Sequence, residues 1–344
     1  MSAPVLTVIQ QEITRYIMPI MVTVATLSNL CSIIIFSKRH HRKSSCSLYL
    51  IFAATSTIVS INWAVIPIIK ALNSPPDLFS QSLFLCRLKG YILQVANNLY
   101  RAFLILACAD RFAMSSSNIR IRAWATRKVA WRTVAVVIIA WLCIGSQILV
   151  GNNIENSKCS VFGVYATVYT IYTIIIIFTP ACLMSIFGFL TLRNRKRLHS
   201  RIHPENGEHR TTAIRMKKRD SDLAKMVLSE VLVYLILTSA YPIVFLYTTV
   251  TANVPNKSVT RVQIETFVSF CTNSFLQYLN SGASFFIYMS TSRAFRSEVK
   301  QLILMRGRTN HTHNSTPHFV MHRELIQRQT AQITSQRQTL TPDV

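Results

Sequence analysis

The charged side chains that could do chemistry in this chain lie either at the end of a long apolar stretch or inside one. Asp110 and Arg111 end such a stretch, and the aromatic residue Phe112 follows them directly. Arg101 lies in the middle of the same stretch, and Glu230 stands at the edge of another. Burying a charge in an apolar environment costs several kcal/mol, so residues placed there usually carry a function. What an acid beside a base does at such a boundary depends on what the rest of the chain is.

The composition indicates the environment of these stretches. The chain has 344 residues, of which half are apolar and only 15% charged, yet its formal charge is +24. Soluble domains have roughly 25% charged residues, so the lysines and arginines of this chain must be clustered. Two classes of protein have this pattern, nucleic-acid binders and membrane proteins with basic cytoplasmic loops.

Seven apolar stretches favour the membrane class and exclude a nucleic-acid partner. Each has close to the roughly 20 residues that a helix needs to cross hydrocarbon, and a soluble core does not need seven of them. They are Tyr16–Phe36, Ser47–Ile69, Gly90–Ala109, Thr133–Val150, Cys159–Leu192, Val231–Asn256 and Thr266–Ser292. The pattern predicts an all-α bundle of seven transmembrane helices.

Lysine and arginine alternate between the two sides of this predicted bundle. Seven lie on the side of the amino terminus, whereas 26 lie in four segments of the other side, residues 37–44, 112–130, 193–220 and 292–344. Basic loops remain in the cytoplasm and contact anionic lipid. We therefore expect an extracellular amino terminus of residues 1–15, a transmembrane domain of residues 16–292 and a cytoplasmic carboxyl terminus.

The residues after Ser292 divide into two parts. In residues 293–305 the apolar side chains recur on one helical face and the basic ones on the other, which predicts a short amphipathic helix in the membrane interface. Residues 306–344 are polar without an apolar period, which predicts a disordered cytoplasmic tail. We expect serines and threonines of this tail, such as Thr316 and Ser335, to be phosphorylated for arrestin binding.

A set of single residues follows the order and spacing of a known family. Asp110, Arg111 and Phe112 form a DRY-type motif with Phe in place of Tyr, and Tyr288 precedes Phe295 by seven residues. The other members are Asn29 in the first span, Cys86 and Cys159 at span edges, Trp141 in the fourth span, and Pro180 and Pro242 in the fifth and sixth spans. With these residues the chain resembles the rhodopsin-like family of G-protein-coupled receptors, from about residue 16 to about residue 305.

The resemblance implies a receptor at the plasma membrane with an eighth, interfacial helix. It implies that Arg111 pairs with Asp110 at rest and also reaches an acid at the foot of the sixth helix. Asp222 lies there, 20 residues before Pro242, with Asp220 as a close competitor. Outward movement of the sixth helix would free Arg111 and open a cleft for a heterotrimeric G protein. The resemblance also implies a disulfide between Cys86 and Cys159, which face the oxidising exterior.

The chain departs from the family pattern at several positions. Ser56 replaces the acid of the second helix, and the NPxxY segment reads Ser284-Phe285-Phe286-Ile287-Tyr288, without its asparagine and proline. Tyr100 is bulky where the family has a small polar residue, and Ala240 replaces the toggle tryptophan. We therefore expect no sodium site, and a switch that is only partly of the familiar type.

Arg101 needs a partner of its own if it is buried. Glu230 is the only acid within a span and is the first candidate. The alternative is that Arg101 forms hydrogen bonds with Asn97, Asn98 or backbone carbonyl groups.

The expected ligand pocket lies in the outer half of the bundle. Its predicted lining is Leu93, Gln94, Asn97, Tyr241, Tyr247, Gln277 and Tyr278. The acid that holds an amine in aminergic receptors would fall at Leu93, so a biogenic amine is not expected, and the last span has no lysine for a retinal cofactor. A polar and aromatic lining favours a short neuropeptide.

Other classes of function remain open from the sequence. They are a chemosensory receptor for a small neutral ligand, a seven-helix binding protein without coupling and, with less support, a transporter or channel, for which no inverted repeat is visible. An enzyme would need clusters of acids or metal ligands within the spans, and these contain no His or Asp. We expect no catalytic residue, no metal and no cofactor.

Overall fold

The computed structural model describes residues 3–38, 41, 44–73, 78–155, 158–161, 163–199, 210–251, 254 and 256–309. In chain order the elements are α1 (Ala3–Glu12), a π-helical turn (Ile13–Ile17), α2 (Met18–Ser37), α3 (Ser45–Asn73), α4 (Leu78–Gln81), α5 (Leu83–Ser115), α6 (Ile119–Arg122), α7 (Arg127–Gly145), α8 (Gln147–Gly151), β1 (Asn152–Glu155), β2 (Lys158–Val161), α9 (Val164–His199), α10 (Arg210–Thr238), α11 (Ala240–Val250), α12 (Val259–Ser269), a second π-helical turn (Phe270–Phe275), α13 (Leu276–Thr291) and α14 (Arg293–Thr309). Of the tail predicted over residues 306–344, residues 310–344 lie outside this description.

Six helical segments are long and apolar enough to cross a membrane. They are Val5–Ser37, Ser45–Asn73, Leu83–Ser115, Arg127–Gly151, Tyr165–Lys196 and Asp220–Val250. An apolar stretch of this length forms a helix in lipid because only a helix satisfies its backbone hydrogen bonds internally. The prediction of an all-α, multi-pass membrane bundle is thereby confirmed.

The seventh predicted span is helical but is not among these six. The chain there passes through α12, a π-helical turn and α13, with polar residues such as Gln277 and Asn280 at intervals. These side chains lower the hydropathy of the segment. Membrane crossing by this segment stays a prediction, as does an interfacial position for α14.

The helices of the bundle contact one another in a closed order. α2 packs against α3, α3 against α5, and α5 against α9; α9 contacts α10 and α11, and α13 contacts both α10 and α2. α7 packs against α3 and α5 from outside. The chain divides into two compact units after Arg296, and this bundle belongs to the first.

Apolar side chains face outward in the bundle, and polar side chains face inward. On α7, Val136 and Ile139 are 64% and 61% exposed, whereas Ser28, Asn29 and Ser60 on other helices are buried. A soluble domain rarely exposes an apolar surface of this kind. In lipid the arrangement is favourable, because small and polar side chains join the helices.

Pro242 accounts for the break between α10 and α11. Proline cannot donate a backbone hydrogen bond, and its ring clashes with the carbonyl group four residues earlier. That residue is Thr238, the last residue of α10, and α11 begins at Ala240. Pro180 lies inside α9 and is buried.

A β-hairpin closes one end of the bundle, and the predicted disulfide holds it there. β1 and β2 pair antiparallel with Ile154 opposite Cys159. Cys159 forms a disulfide with Cys86 near the start of α5, with 5.7 Å between the Cα atoms. Cys159 lies in β2, before α9 begins at Val164, so the first residues of the apolar stretch Cys159–Leu192 are not helical. We call this end of the bundle the disulfide end and the opposite one the Arg111 end.

Replacing both Cys86 and Cys159 by serine should lower the thermal unfolding temperature of the purified protein. The bridge spans 73 residues, and the chain-entropy model gives about 4 kcal/mol of stabilisation for a loop of this size. Differential scanning fluorimetry in detergent measures the effect, with Cys271→Ser, which changes an unbridged cysteine, as the matched control. Equal unfolding temperatures for the double variant and the control would contradict the prediction.

Candidate switch site at the Arg111 end

Arg111 lies in the last turns of α5, where it is 4% exposed. Its Nη2 atom is 2.5 Å from Asp110 Oδ2, and its Nε donates to the same oxygen at 3.2 Å. Its Nη1 atom is 3.7 Å from Oδ1 of Asp220 at the start of the membrane-crossing part of α10. A single buried guanidinium therefore pairs with an acid of its own helix and with an acid of α10.

Asp110 connects α5 to a third helix. It is 6% exposed, and its Oδ1 accepts a hydrogen bond from the hydroxyl of Ser45, the first residue of α3. A buried carboxylate with a hydroxyl donor and a guanidinium partner has its desolvation largely offset. Three helices thus meet at Asp110 and Arg111.

The prediction that Arg111 reaches Asp222 was wrong, because the acid of α10 that it reaches is Asp220. Asp222 instead lies 3.9 Å from Lys225 on its own helix. The two acids are two positions apart, and at 3.6 residues per turn such neighbours lie on nearly opposite faces of a helix. Only one of them can face α5, and the distance from Pro242 along the chain does not determine which.

Glu230 forms a second connection, between α10 and α13. Its side chain is 2% exposed, and its Oε1 accepts a hydrogen bond from Ser284 Oγ at 2.8 Å. Its Oε2 accepts one from the Tyr288 hydroxyl at 2.5 Å. Ser284 and Tyr288 are the ends of the segment in which the family pattern has its NPxxY motif. The carboxylate therefore binds one position that departs from the pattern, Ser284, and one that matches it, Tyr288.

Glu230, the first candidate partner of Arg101, binds Ser284 and Tyr288 instead. Arg101 is ten residues before Arg111 on α5, and Glu230 is ten residues after Asp220 on α10, so their backbones lie at similar depth. Side chains tilt toward the amino terminus of their helix. Since α5 and α10 run in opposite directions, Arg101 leans toward the disulfide end and Glu230 toward the Arg111 end.

An aromatic cluster surrounds Tyr288. The ring centroid of Tyr288 is 5.4 Å from that of Phe36 on α2 and 5.5 Å from that of Phe295 on α14. Phe36 and Phe295 are themselves fully buried, with centroids 5.7 Å apart. Such packing restricts the ring of Tyr288 and directs its hydroxyl toward Glu230.

Three further predicted residues have defined positions. Asn29 is buried and its Nδ2 donates to the carbonyl oxygens of Ala25, at 2.8 Å, and Ser281, at 2.9 Å, which joins α2 to α13. The Phe112 ring is 6.0 Å from that of Phe187 on α9. Trp141 is half-buried on α7.

The seven residues expected to form one ligand pocket are distributed over several environments. Asn97 and Gln277 meet, with Gln277 Nε2 3.5 Å from Asn97 Oδ1. Gln94 instead donates to the Tyr172 hydroxyl on α9 at 2.9 Å. Leu93 and Tyr278 pack against an apolar cluster of α2 and α3. Tyr241 packs against Phe245 of its own helix, with 6.0 Å between ring centroids.

Tyr247 belongs to an ionic cluster at the disulfide end that sequence reasoning missed. Glu265 lies 2.7 Å from Lys257 Nζ and 2.8 Å from Arg261 Nε, and it accepts a hydrogen bond from the Tyr247 hydroxyl at 3.1 Å. Tyr247 is on α11 and Glu265 on α12, so the cluster joins these two helices. The hydrogen bonds from Lys257 and Arg261 lower the pKa of Glu265 to about 2. The sequence signal for this cluster was the spacing of four positions between Arg261 and Glu265, which places the two side chains next to each other on a helix.

The chain matches no known protein-family model and no curated protein. Its function must therefore be argued from the geometry of these sites.

Replacing Tyr288 by phenylalanine should destabilise the bundle by about 1–3 kcal/mol, because it leaves a buried carboxylate oxygen without its donor. Glu230→Gln should destabilise it as well. A double-mutant cycle should give a coupling of at least about 0.5 kcal/mol, since the two side chains interact directly. Thermal unfolding in detergent measures each step.

The matched control for this cycle is Tyr165→Phe, whose hydroxyl bonds to the carbonyl oxygen of Gln147, paired with Glu230→Gln. This pair should be additive. Additive effects of Glu230→Gln and Tyr288→Phe would contradict the proposed connection between α10 and α13.

The ionic cluster should make stability depend on acidic pH. The folded-state pKa of Glu265 is lowered from 4.5 to about 2, so its contribution is complete above pH 4.5 and is lost as the pH falls toward 2. The unfolding temperature of the wild type should therefore fall more steeply over this interval than that of Glu265→Gln. The difference between the two curves isolates Glu265 from other carboxylates, and parallel curves would count against the cluster.

Proposed function

We propose that the protein is a G-protein-coupled receptor of the rhodopsin-like type. It resides in the plasma membrane with its amino terminus outside and its carboxyl terminus in the cytoplasm, and the segment Thr266–Ser292 is its seventh span. The observation that carries the proposal is the buried Arg111, which lies between Asp110 on α5 and Asp220 on α10.

This geometry supports a switch with two states. In the closed state the charge of Arg111 is neutralised by both acids, and α10 is held against α5. Movement of α10 away from α5 separates Arg111 from Asp220 and exposes the guanidinium at the basic side of the membrane. A heterotrimeric G protein then binds in the opened cleft, and an extracellular ligand biases the equilibrium toward that state.

The expected ligand is a short neuropeptide. The polar residues Asn97 and Gln277 meet inside the bundle, and the ionic cluster around Glu265 forms a charged rim at the disulfide end. The backbone of a peptide can form hydrogen bonds with the amide groups of Asn97 and Gln277, and its charged groups can pair with the ionic cluster around Glu265. A small neutral ligand of a chemosensory receptor would use only the inner residues.

A seven-helix binding protein without coupling is the second candidate. Glu230 favours it, because its bonds to Ser284 and Tyr288 add a second connection that α10 must break before it can move.

Arg111→Ala should abolish G-protein recruitment, whereas Asp220→Asn should raise basal recruitment. Removing a partly buried ion pair worth about 1 kcal/mol shifts the balance of the two states roughly fivefold toward the open one. A cell-based recruitment assay, in the basal state and with a library of short peptides, measures both effects.

Asp222→Asn is the matched control for this assay, since Asp222 lies two residues away and does not contact Arg111. Recruitment that persists in Arg111→Ala would refute the switch. Absence of recruitment by every variant, at verified surface expression, would support the second candidate.

A further inference from the structure

A small polar cavity lies inside the bundle between α3, α5, α10 and α13. Its volume is about 10 Å³, which is room for one water-sized particle. The polar lining residues used below are Arg101, Ser60, Asn97, Tyr234, Gln277 and Asn280; Tyr100, Thr57, Thr238 and Ser281 complete the lining. Arg101 lies about 15 Å along α5 from Arg111, near the middle of the membrane.

Arg101 brings an uncompensated charge to this cavity. Among the described residues no carboxylate lies within ion-pair distance of it, since Glu230 binds Ser284 and Tyr288 instead. Its electrostatic neighbours are the phenols of Tyr100 and Tyr241. Arg101 is half-buried, its guanidinium is always protonated, and a charge inside a membrane-spanning bundle without a counter-ion costs several kcal/mol. The cavity thus requires a negative charge.

The hydrogen-bond donors at the cavity favour the same conclusion. Oδ1 of Asn97 already accepts hydrogen bonds from Ser60 at 2.7 Å and from Gln277 at 3.5 Å. The amide N–H₂ group of Asn97 is therefore the part that can bind a ligand in the cavity, as a donor. Tyr234 is 4% exposed, and within the described part of the chain its hydroxyl forms no hydrogen bond. The amide oxygens of Gln277 and Asn280 are neutral dipoles and leave the net charge of the cavity positive.

We propose that this cavity is a binding site for a small monovalent anion, held by Arg101, Asn97 and Tyr234. Chloride has the required charge and is only somewhat larger than the water-sized particle for which the cavity has room. A carboxylate has the same charge and is the second source of this chemistry, as the terminal group of a ligand. Because Arg101 is on α5 and Tyr234 on α10, the bound anion joins these helices at a third level, between the disulfide end and Glu230.

The test measures binding by the purified full-length protein and does not depend on G-protein coupling. Thermal unfolding is followed in neutral detergent while chloride replaces a bulky organic sulfonate at constant ionic strength. The unfolding temperature of the wild type should rise with chloride and saturate. Arg101→Met should remove this dependence, and Tyr234→Phe should raise the half-saturating chloride concentration roughly tenfold, because it removes a donor to a charged group.

Two control variants keep the response of the wild type. Tyr91→Phe removes a hydroxyl of α5 that bonds to the Leu142 carbonyl, away from the cavity. Arg15→Gln removes a surface arginine near Glu12. If Arg101→Met does not fold, the comparison of Tyr234→Phe with Tyr91→Phe decides.

A parallel titration with acetate separates the two sources of the anion. Saturable stabilisation by chloride or bromide identifies a halide site, and stabilisation by acetate alone identifies a carboxylate site. No saturable response to any of these anions, or an equal response in Arg101→Met, would overturn the proposal.

Discussion

The structure depends on one constraint: charged side chains inside a lipid-facing bundle must be neutralised within it. Arg111 meets this constraint with two acids, Asp110 on the same helix and Asp220 on α10. The first pair forms within α5 and does not depend on the position of α10. The second pair exists only while α10 lies against α5. In an interior of low dielectric constant the loss of that pair has to be compensated by water or by a partner, which is why the position of α10 and the exposure of Arg111 are coupled.

Polar contacts join α10 to the rest of the bundle at successive depths. Asp220 reaches α5, and Glu230, about 15 Å further along α10, reaches α13 through Ser284 and Tyr288. Tyr234, one turn beyond, lines the cavity that contains Arg101. Hydrogen bonds between membrane helices are modest individually, so a series of them permits α10 to be held and still to move. The asparagine and the proline of the NPxxY pattern are absent from this chain, and Glu230 supplies an acid that binds the same segment.

Much of the fold could be predicted from local sequence. A stretch of twenty apolar residues can satisfy its backbone in lipid only as a helix, so the six spans follow from composition. The break before Pro242 follows from the missing backbone donor. The pairing of Cys86 with Cys159 came from the resemblance to a family, and the structure agrees. The apolar stretch Cys159–Leu192 did not by itself show where its helix begins, because the hairpin and the disulfide hold Cys159 in a strand and α9 begins at Val164.

By itself the sequence determined which segments are helices, where charges enter the apolar stretches and that Arg111 would have an acid beside it. Only the tertiary structure decided which acid of α10 faces Arg111, where Glu230 points and which of the expected pocket residues meet. The physical reason is that the sequence sets the period of a helix but not its rotation about its axis. Rotation is set by packing against neighbours from distant parts of the chain, and it turned Asp220 rather than Asp222 toward α5. The opposite directions of α5 and α10 likewise separated Arg101 from Glu230, a pairing that the sequence had left open.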